Sequence, residues 1–437
     1  MKRNAIVAQS GGPSPVINAS LLGVLEGCRD FPDHIDRVYA AWHGVEGILL
    51  EELIDMTDQD PEELRLLRTT TSAGAVGTCR YKLTETQNDD FQRILEVMRA
   101  HDAGFFFYIG GNDSMDTAHK VSRLAAERGL ELSATGVPKT IDNDVGDPEF
   151  RLIDHTPGYG SAARYWSYIV QNVNEENRGM SVSESVAVLQ AMGRKSGWIP
   201  AASRLADPER RIPLQMYFAE GGHTLESLGE NVNRELQRSG RCIVVVSEGF
   251  EVGGLGEMHD GFGHIEYGAS RSTVAQAVVN YLNRAGLKSR GYATGQVPGV
   301  LQRSTSIYAS TVDIEEAYRV GSKAVEIGVR EGSGWMATIL RESNSPYRVR
   351  YDKVPLDAVA ASVRQLPADW VSKDGLDVTD SFLRYAKPLI GGEWPPIPIE
   401  EGLQRFARLR IRFIDKKLPA YVPVRFRAPG YSTGMPK

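Results

Sequence analysis

A chain of 437 residues is too long for one compact core, so two or more lobes are expected. With 41% hydrophobic and 24% charged residues the composition is that of a soluble globular protein, and a formal charge of −6 excludes a surface built to hold nucleic acid. Three cysteines without paired spacing, Cys28, Cys79 and Cys242, argue against a disulfide framework or a zinc site and fit a reducing, cytoplasmic setting.

The N-terminal Met-Lys-Arg-Asn runs directly into Ala5-Ile6-Val7-Ala8, an apolar stretch too short for a signal peptide and suited to a first β-strand. No stretch of membrane-spanning length follows, so no membrane partner is expected. Similar runs occupy residues 105–109, 132–137, 186–189 and 242–246, most of them closing on glycine: Gly110-Gly111, Gly193 and Gly249. Continuous β-branched and aromatic runs suit strands buried on both faces, which means a parallel sheet covered by helices. Alternating strands and helices predict a doubly wound α/β fold, whose ligands bind outside the carboxyl ends of the strands. All of these glycines fall there. The stretch from Gly249 to Gly268 reads as a surface loop, the chain turns irregular after about Pro346, and Gly391-Gly392-Glu393-Trp394-Pro395-Pro396 marks a further break. The basic tail over residues 405–427 reads as a solvated helix face or a subunit contact.

Three motifs carry chemistry. Ser10-Gly11-Gly12-Pro13 closes the first strand and opens a helix, so its backbone and the free amides of the helix start suit an anion; an ordinary strand–helix turn explains it equally well. It lacks the spacing of a dinucleotide fingerprint. Gly110-Gly111-Asn112-Asp113-Ser114 offers a second cradle for an anion or metal, or simply an N-cap. Its Asp113 repels phosphate unless it is there to limit what fits. The third motif, Pro138-Lys139-Thr140-Ile141-Asp142-Asn143-Asp144, places a cation, a hydroxyl and two carboxylates at a strand end. Phosphoryl transfer needs these parts: a base for the attacking hydroxyl, a cation for the transferring charge, and a carboxylate near magnesium.

Together with Met192-Gly193-Arg194, Ser247-Glu248-Gly249 and Leu301-Gln302-Arg303, these motifs resemble the phosphofructokinase family in its pyrophosphate-dependent branch. They occur in the family's order and cover about residues 5 to 320. The resemblance implies two α/β lobes with mostly parallel sheets facing a cleft: residues 1–140 form a donor-phosphate lobe completed by about 300–340, residues 141–299 a sugar-phosphate lobe, and residues 341–437 a C-terminal extension. It implies reversible transfer of a phosphoryl group from pyrophosphate to the 1-hydroxyl of fructose 6-phosphate with Mg2+, in a homodimer or homotetramer. Asp142 matches the base, Thr140 and Ile141 a substrate contact, and Asp144 with Asn112 the magnesium region. Lys139 and Asp113 stand where ATP users have glycine: the lysine stabilises the transferring group, and the aspartate fills the space of a nucleotide's α-phosphate. A compact donor brings no adenosine binding energy, so an added cation compensates. Gly11, Gly12, Gly111 and Ser114 match the donor loops, and Arg80 an arginine reaching the transferring phosphate. Met192, Gly193, Arg194 and Glu248 match the sugar site, and Arg303 an arginine at the 6-phosphate.

The chain departs from the pattern in places. Asn112 replaces an aspartate and brings no charge to a metal. Ser185 stands where ATP users supply an arginine across a subunit interface, no histidine precedes Gln302-Arg303, and Ser304-Thr305 replaces Gly-Gly. Arg164, Arg178, Lys195, Arg204 and Arg290 are the candidates to complete the 6-phosphate pocket. The rival readings are ATP as donor, sedoheptulose 7-phosphate as acceptor, or a non-catalytic sugar-phosphate-binding homologue.

Overall fold

The computed structural model describes residues 2–427 apart from 73, 84–86, 255–257, 260–264 and 361. The larger sheet begins with β1 (Arg3–Gln9), β2 (Ile35–Ala41), β3 (Leu53–Asp55), β4 (Ala103–Gly110) and β5 (Ser133–Pro138). A smaller sheet follows: β6 (Val186–Ala191), β7 (Leu214–Tyr217), β8 (Cys242–Ser247) and β9 (Ala293–Gln296). The chain then returns with β10 (Trp335–Asn344) and β11 (Tyr347–Pro355), giving the larger sheet the order β11-β10-β5-β4-β1-β2-β3 and the smaller one β7-β8-β6-β9. Pairing is parallel throughout the smaller sheet, while antiparallel pairs occupy both edges of the larger one, β2 with β3 and β10 with β11. The five predicted apolar runs fall in β1, β4, β5, β6 and β8, which are buried on both faces.

Helix Thr311–Arg330 carries the chain back onto the larger sheet by lying against helix Ile17–Arg29. Their backbones meet: a β-carbon on Gly23 would stand 2.0 Å from Tyr318 O, and one on Gly321 would stand 2.3 Å from Ser20 O. Among the described residues no helix is long and apolar enough to cross a membrane. The three cysteines are buried and unpaired.

Two expectations need correction. The chain does not turn irregular directly after Pro346, and an extension starting at 341 would cut β10, because β10 and β11 form a hairpin paired from Trp335–Pro355 to Asn344–Tyr347, with one register shift between Arg341 and Ser343. Tyr347, Val349 and Tyr351 alternate with charged residues, as suits an edge strand with one face covered. The basic tail is also not an α-helix, although Val424–Arg427 closes it with one 3-10 turn. It runs irregularly over the larger sheet's lobe, where Arg405 meets Glu62 at 2.8 Å and Glu63 at 2.6 Å, and Ile414 N donates to Leu53 O. Pro419 and Pro423 interrupt any α-helix, and Arg405 and Arg427 find carboxylates on the folded lobe. The predicted loop from Gly249 to Gly268 falls partly outside the described residues; its described end brings Ile265 and Tyr267 to the cleft.

Candidate active site

Strands β1, β4 and β5 of one sheet and β6 and β8 of the other all end at a cleft of about 740 Å³, and each is followed there by one of the motifs. Every predicted site residue lines it: Gly11, Gly12, Arg80, Gly111, Asn112, Asp113, Ser114, Lys139, Thr140, Ile141, Asp142, Asp144, Met192, Gly193, Arg194, Glu248 and Arg303. Residues as distant in sequence as Gly11 and Arg303 meet because both sheets present their carboxyl edges to the same space.

At the end of β5, Lys139 turns its ammonium under the first loop and donates to Ser10 O at 2.7 Å and Gly12 O at 2.6 Å. Two of its three N–H bonds are thereby spent on positioning. Burial, followed by the charges of Arg303 and Arg80, pushes its pKa down to about 7. Arg303 and Arg80 stand over the same loop: a β-carbon on Gly12 would lie 2.5 Å from Arg303 Nη1 and 3.2 Å from Arg80 Nη2. Glycine is required at position 12 for these cations to sit where they do. Arg303, expected at the far phosphate of the sugar, thus has its guanidinium against the donor loop.

Helix Asn112–Glu127 starts at the cleft with Gly111 as its N-cap, and no side chain caps it. The N-cap position is thus a glycine and not Asn112, Asp113 or Ser114, and the positive end of the helix faces the cleft, where an anion is favoured. Asp113 in that first turn is met by Lys82 Nζ at 3.0 Å, a cation that the motifs did not disclose. Asn112 Nδ2 reaches Asp144 O at 3.4 Å, while Asn112 Oδ1 is buried without a hydrogen-bond partner among the described residues. The Asp144 carboxyl is held above the usual carboxylate range by burial and then by the neighbouring charge of Asp142. An orphaned carbonyl oxygen beside a carboxyl that resists ionisation is a donor set a hard divalent cation would satisfy. Among the described residues no cluster of three or more His, Cys, Asp or Glu is grouped to hold a metal ion.

On the opposite wall, Glu248 Oε1 accepts from Gly193 N at 3.1 Å and Arg194 N at 2.9 Å, and Gln302 Oε1 accepts from Met192 N and from Trp166 Nε1. These contacts hold Gly193 and Arg194 in left-handed backbone, φ 121° and 53°. Burial pushes the Glu248 carboxyl up to about 7. Arg194 Nε lies 3.9 Å from Asp142 Oδ2, and Ser196 Oγ donates to Asp142 O. Of the five cations considered for the 6-phosphate pocket, Lys195 lines the cleft. Arg204 is engaged by Asp377 and Asp207, and Arg178 by Glu175. Arg164 is buried beneath Trp394, and Arg290 is exposed away from the cleft lining. Lys82, Ser196 and Arg364 also line the site and were missed in the sequence. Lys82 follows Arg80 by two residues and Ser196 follows Arg194 by two, while Arg364 left no local signal.

A family model described as phosphofructokinase matches residues 4–328. A pyrophosphate–fructose 6-phosphate 1-phosphotransferase of Halomonas elongata is 39% identical over 430 residues, covering 96% of this chain and 99% of its own. The protein of the same name in Methylococcus capsulatus is 40% identical over 428 residues, covering 96% and 98%. The crystal structure of a pyrophosphate-dependent phosphofructokinase from Marinobacter aquaeolei superposes with a TM-score of 0.85 at 36% identity, covering 96% of this chain and 99% of that one.

Proposed function

The chain belongs to the phosphofructokinase family, and from that premise we propose that it transfers a phosphoryl group reversibly from pyrophosphate to the 1-hydroxyl of fructose 6-phosphate, giving fructose 1,6-bisphosphate and phosphate. The observation that carries the donor assignment is the Lys139 ammonium anchored under Gly11-Gly12 with Arg80 and Arg303 over the same loop. Three cations at one end of the cleft match a donor that is all phosphate. Asp113, braced by Lys82, occupies the helix start where a longer donor would continue.

In this reading Asp142 accepts the proton of the attacking 1-hydroxyl, with Arg194 beside it to hold a phosphate oxygen. Lys139 and Arg80 stabilise the charge that develops on the transferring group, and being anchored beforehand they need no reorganisation in the transition state. Thr140, Ile141, Met192, Gly193 and Glu248 hold the sugar; Gly12, Gly111 and Ser114 line the donor side. Mg2+, held by Asn112 Oδ1, Asp144 and donor oxygens, would neutralise donor charge when bound. The proposed assembly is a cytoplasmic homodimer, with a homotetramer as the alternative. The exposed Met180, Val182, Tyr292, Val297, Val300 and Leu301 near the edge strand β9 support it.

A coupled assay with pyrophosphate and ATP against fructose 6-phosphate and sedoheptulose 7-phosphate tests the reading. Turnover with pyrophosphate and fructose 6-phosphate is expected, and Asp113→Gly with Lys139→Gly should lower kcat/KM for pyrophosphate by about 10² or more. Pyrophosphate turnover surviving that double change would remove both residues from the donor site.

A further inference from the structure

Residues beyond 328 lie outside the stretch matched by the family model, yet one of them grips the loop that carries Asp142 and Asp144. Arg364 is fully buried. Its Nε and Nη2 donate to Asn143 O at 3.2 Å each, Nη2 donates to Asn143 Oδ1 at 2.9 Å, and Nη1 donates to Ile153 O at 2.7 Å and Asp154 O at 3.0 Å. Its own backbone N–H donates to Asp144 O at 2.8 Å. Phe150 and Trp198 cover its guanidinium, with ring centroids 4.7 and 5.4 Å away.

Asn143, between the two carboxylates, is buried in left-handed backbone at φ 54°, a conformation that costs energy for any residue but glycine. It persists because it is held from several sides. Besides Arg364, Thr156 N donates to Asn143 Oδ1 at 3.0 Å, and Asn143 Nδ2 donates to the Tyr385 hydroxyl at 2.9 Å, which itself donates to Asp154 O. Turning the backbone at Asn143 is what sends Asp142 toward Arg194 and Asp144 toward Asn112.

We propose that Arg364, assisted by Tyr385, is a positioning residue for phosphoryl transfer, clamping the turn at Asn143 so that Asp142 and Asp144 keep their separate places in the cleft. The inference rests on the assignment of Asp142 as base. Only a planar fork of five donors serves these acceptors together, and a lysine at this position does not replace it. Displacing a base by about 1 Å is enough to cost about 10² in rate.

The test measures two quantities on the full chain: kcat and KM for each substrate, and amide hydrogen exchange over residues 140–146. Arg364→Lys is expected to lower kcat about 10² with both KM values within about threefold, and to speed exchange in the loop. If Arg364→Lys does not fold, Tyr385→Phe keeps the ring and removes one loop tether; a loss of about tenfold in kcat is expected, with faster exchange. A folded variant with wild-type kcat or wild-type loop protection overturns the proposal. So does a rise in KM for fructose 6-phosphate at unchanged kcat, which would make Arg364 a substrate contact. A wild-type chain silent with pyrophosphate would sink the donor assignment, while loop exchange would still decide the clamp.

Discussion

Lys139 is 2% exposed and shares its end of the cleft with Arg80 and Arg303, so its charge is held against both desolvation and repulsion. With a pKa near 7 in the free protein, the ammonium is present below that pH and is lost as pH rises through it. The expected result is a kcat/KM for pyrophosphate that falls above about pH 7, since this quantity reports groups of the free enzyme. Lys139→Arg should flatten that limb of the pH profile, because a guanidinium stays charged. Lys82 makes a second prediction. Its ammonium meets Asp113 at the helix start, and removing it takes positive charge away from the path of the incoming donor. Lys82→Met is expected to raise KM for pyrophosphate about tenfold and leave KM for fructose 6-phosphate unchanged, with Lys82→Arg restoring most of the loss. Equal effects on both substrates would contradict a local role. Lys139 and Asp113 were legible in the sequence because each sits inside a motif at a strand end. Lys82 was not, because its partner lies 31 positions away.

The pair of helices Ile17–Arg29 and Thr311–Arg330 joins the chain after residue 300 to the first lobe, and with it Arg303 to Gly12. Gly321→Ala puts a methyl 2.3 Å from Ser20 O, a backbone atom that cannot rotate away. Overpacking here is expected to cost about 1–3 kcal/mol, read as a lower midpoint in denaturant with an unchanged slope. A neutral substitution would mean the helices stand farther apart. The central strands were readable as apolar runs because both faces are covered. The hairpin of β10 and β11 was not: Pro346 marks its turn and was taken for a breaker, and its alternating pattern belongs to a half-covered edge.

The tail closes over the lobe of the larger sheet. Glu51, fully buried, meets Arg93 and accepts from Lys417 N at 2.9 Å and Leu418 N at 3.1 Å; burial raises its carboxyl, but the bonds from Lys417, His101 and Leu418 together hold it below the usual range. Arg425 Nη1 donates to Arg80 O at 3.0 Å, so the tail also steadies the donor arginine. Truncation after Gln404 is expected to lower stability on the order of 2–5 kcal/mol and to raise KM for pyrophosphate, measured by denaturation and by kinetics. For Glu51 the sign is that of a depressed carboxylate: its contribution is present at neutral pH and fades as acid protonates it in the fold.

Local chemistry was enough to establish the α/β class and the strand-end motifs, because glycine, lysine and carboxylate at short spacing act through backbone geometry that a few residues define, and the family resemblance carried by those motifs implied a pyrophosphate donor. Folding alone settled which distant groups share the cleft: Lys82 opposite Asp113, Arg303 over Gly12, and Arg364 behind Asn143. These are contacts across tens to hundreds of positions, made by bringing two sheet edges and a returning C-terminal segment together, and no periodicity in the chain encodes such pairings.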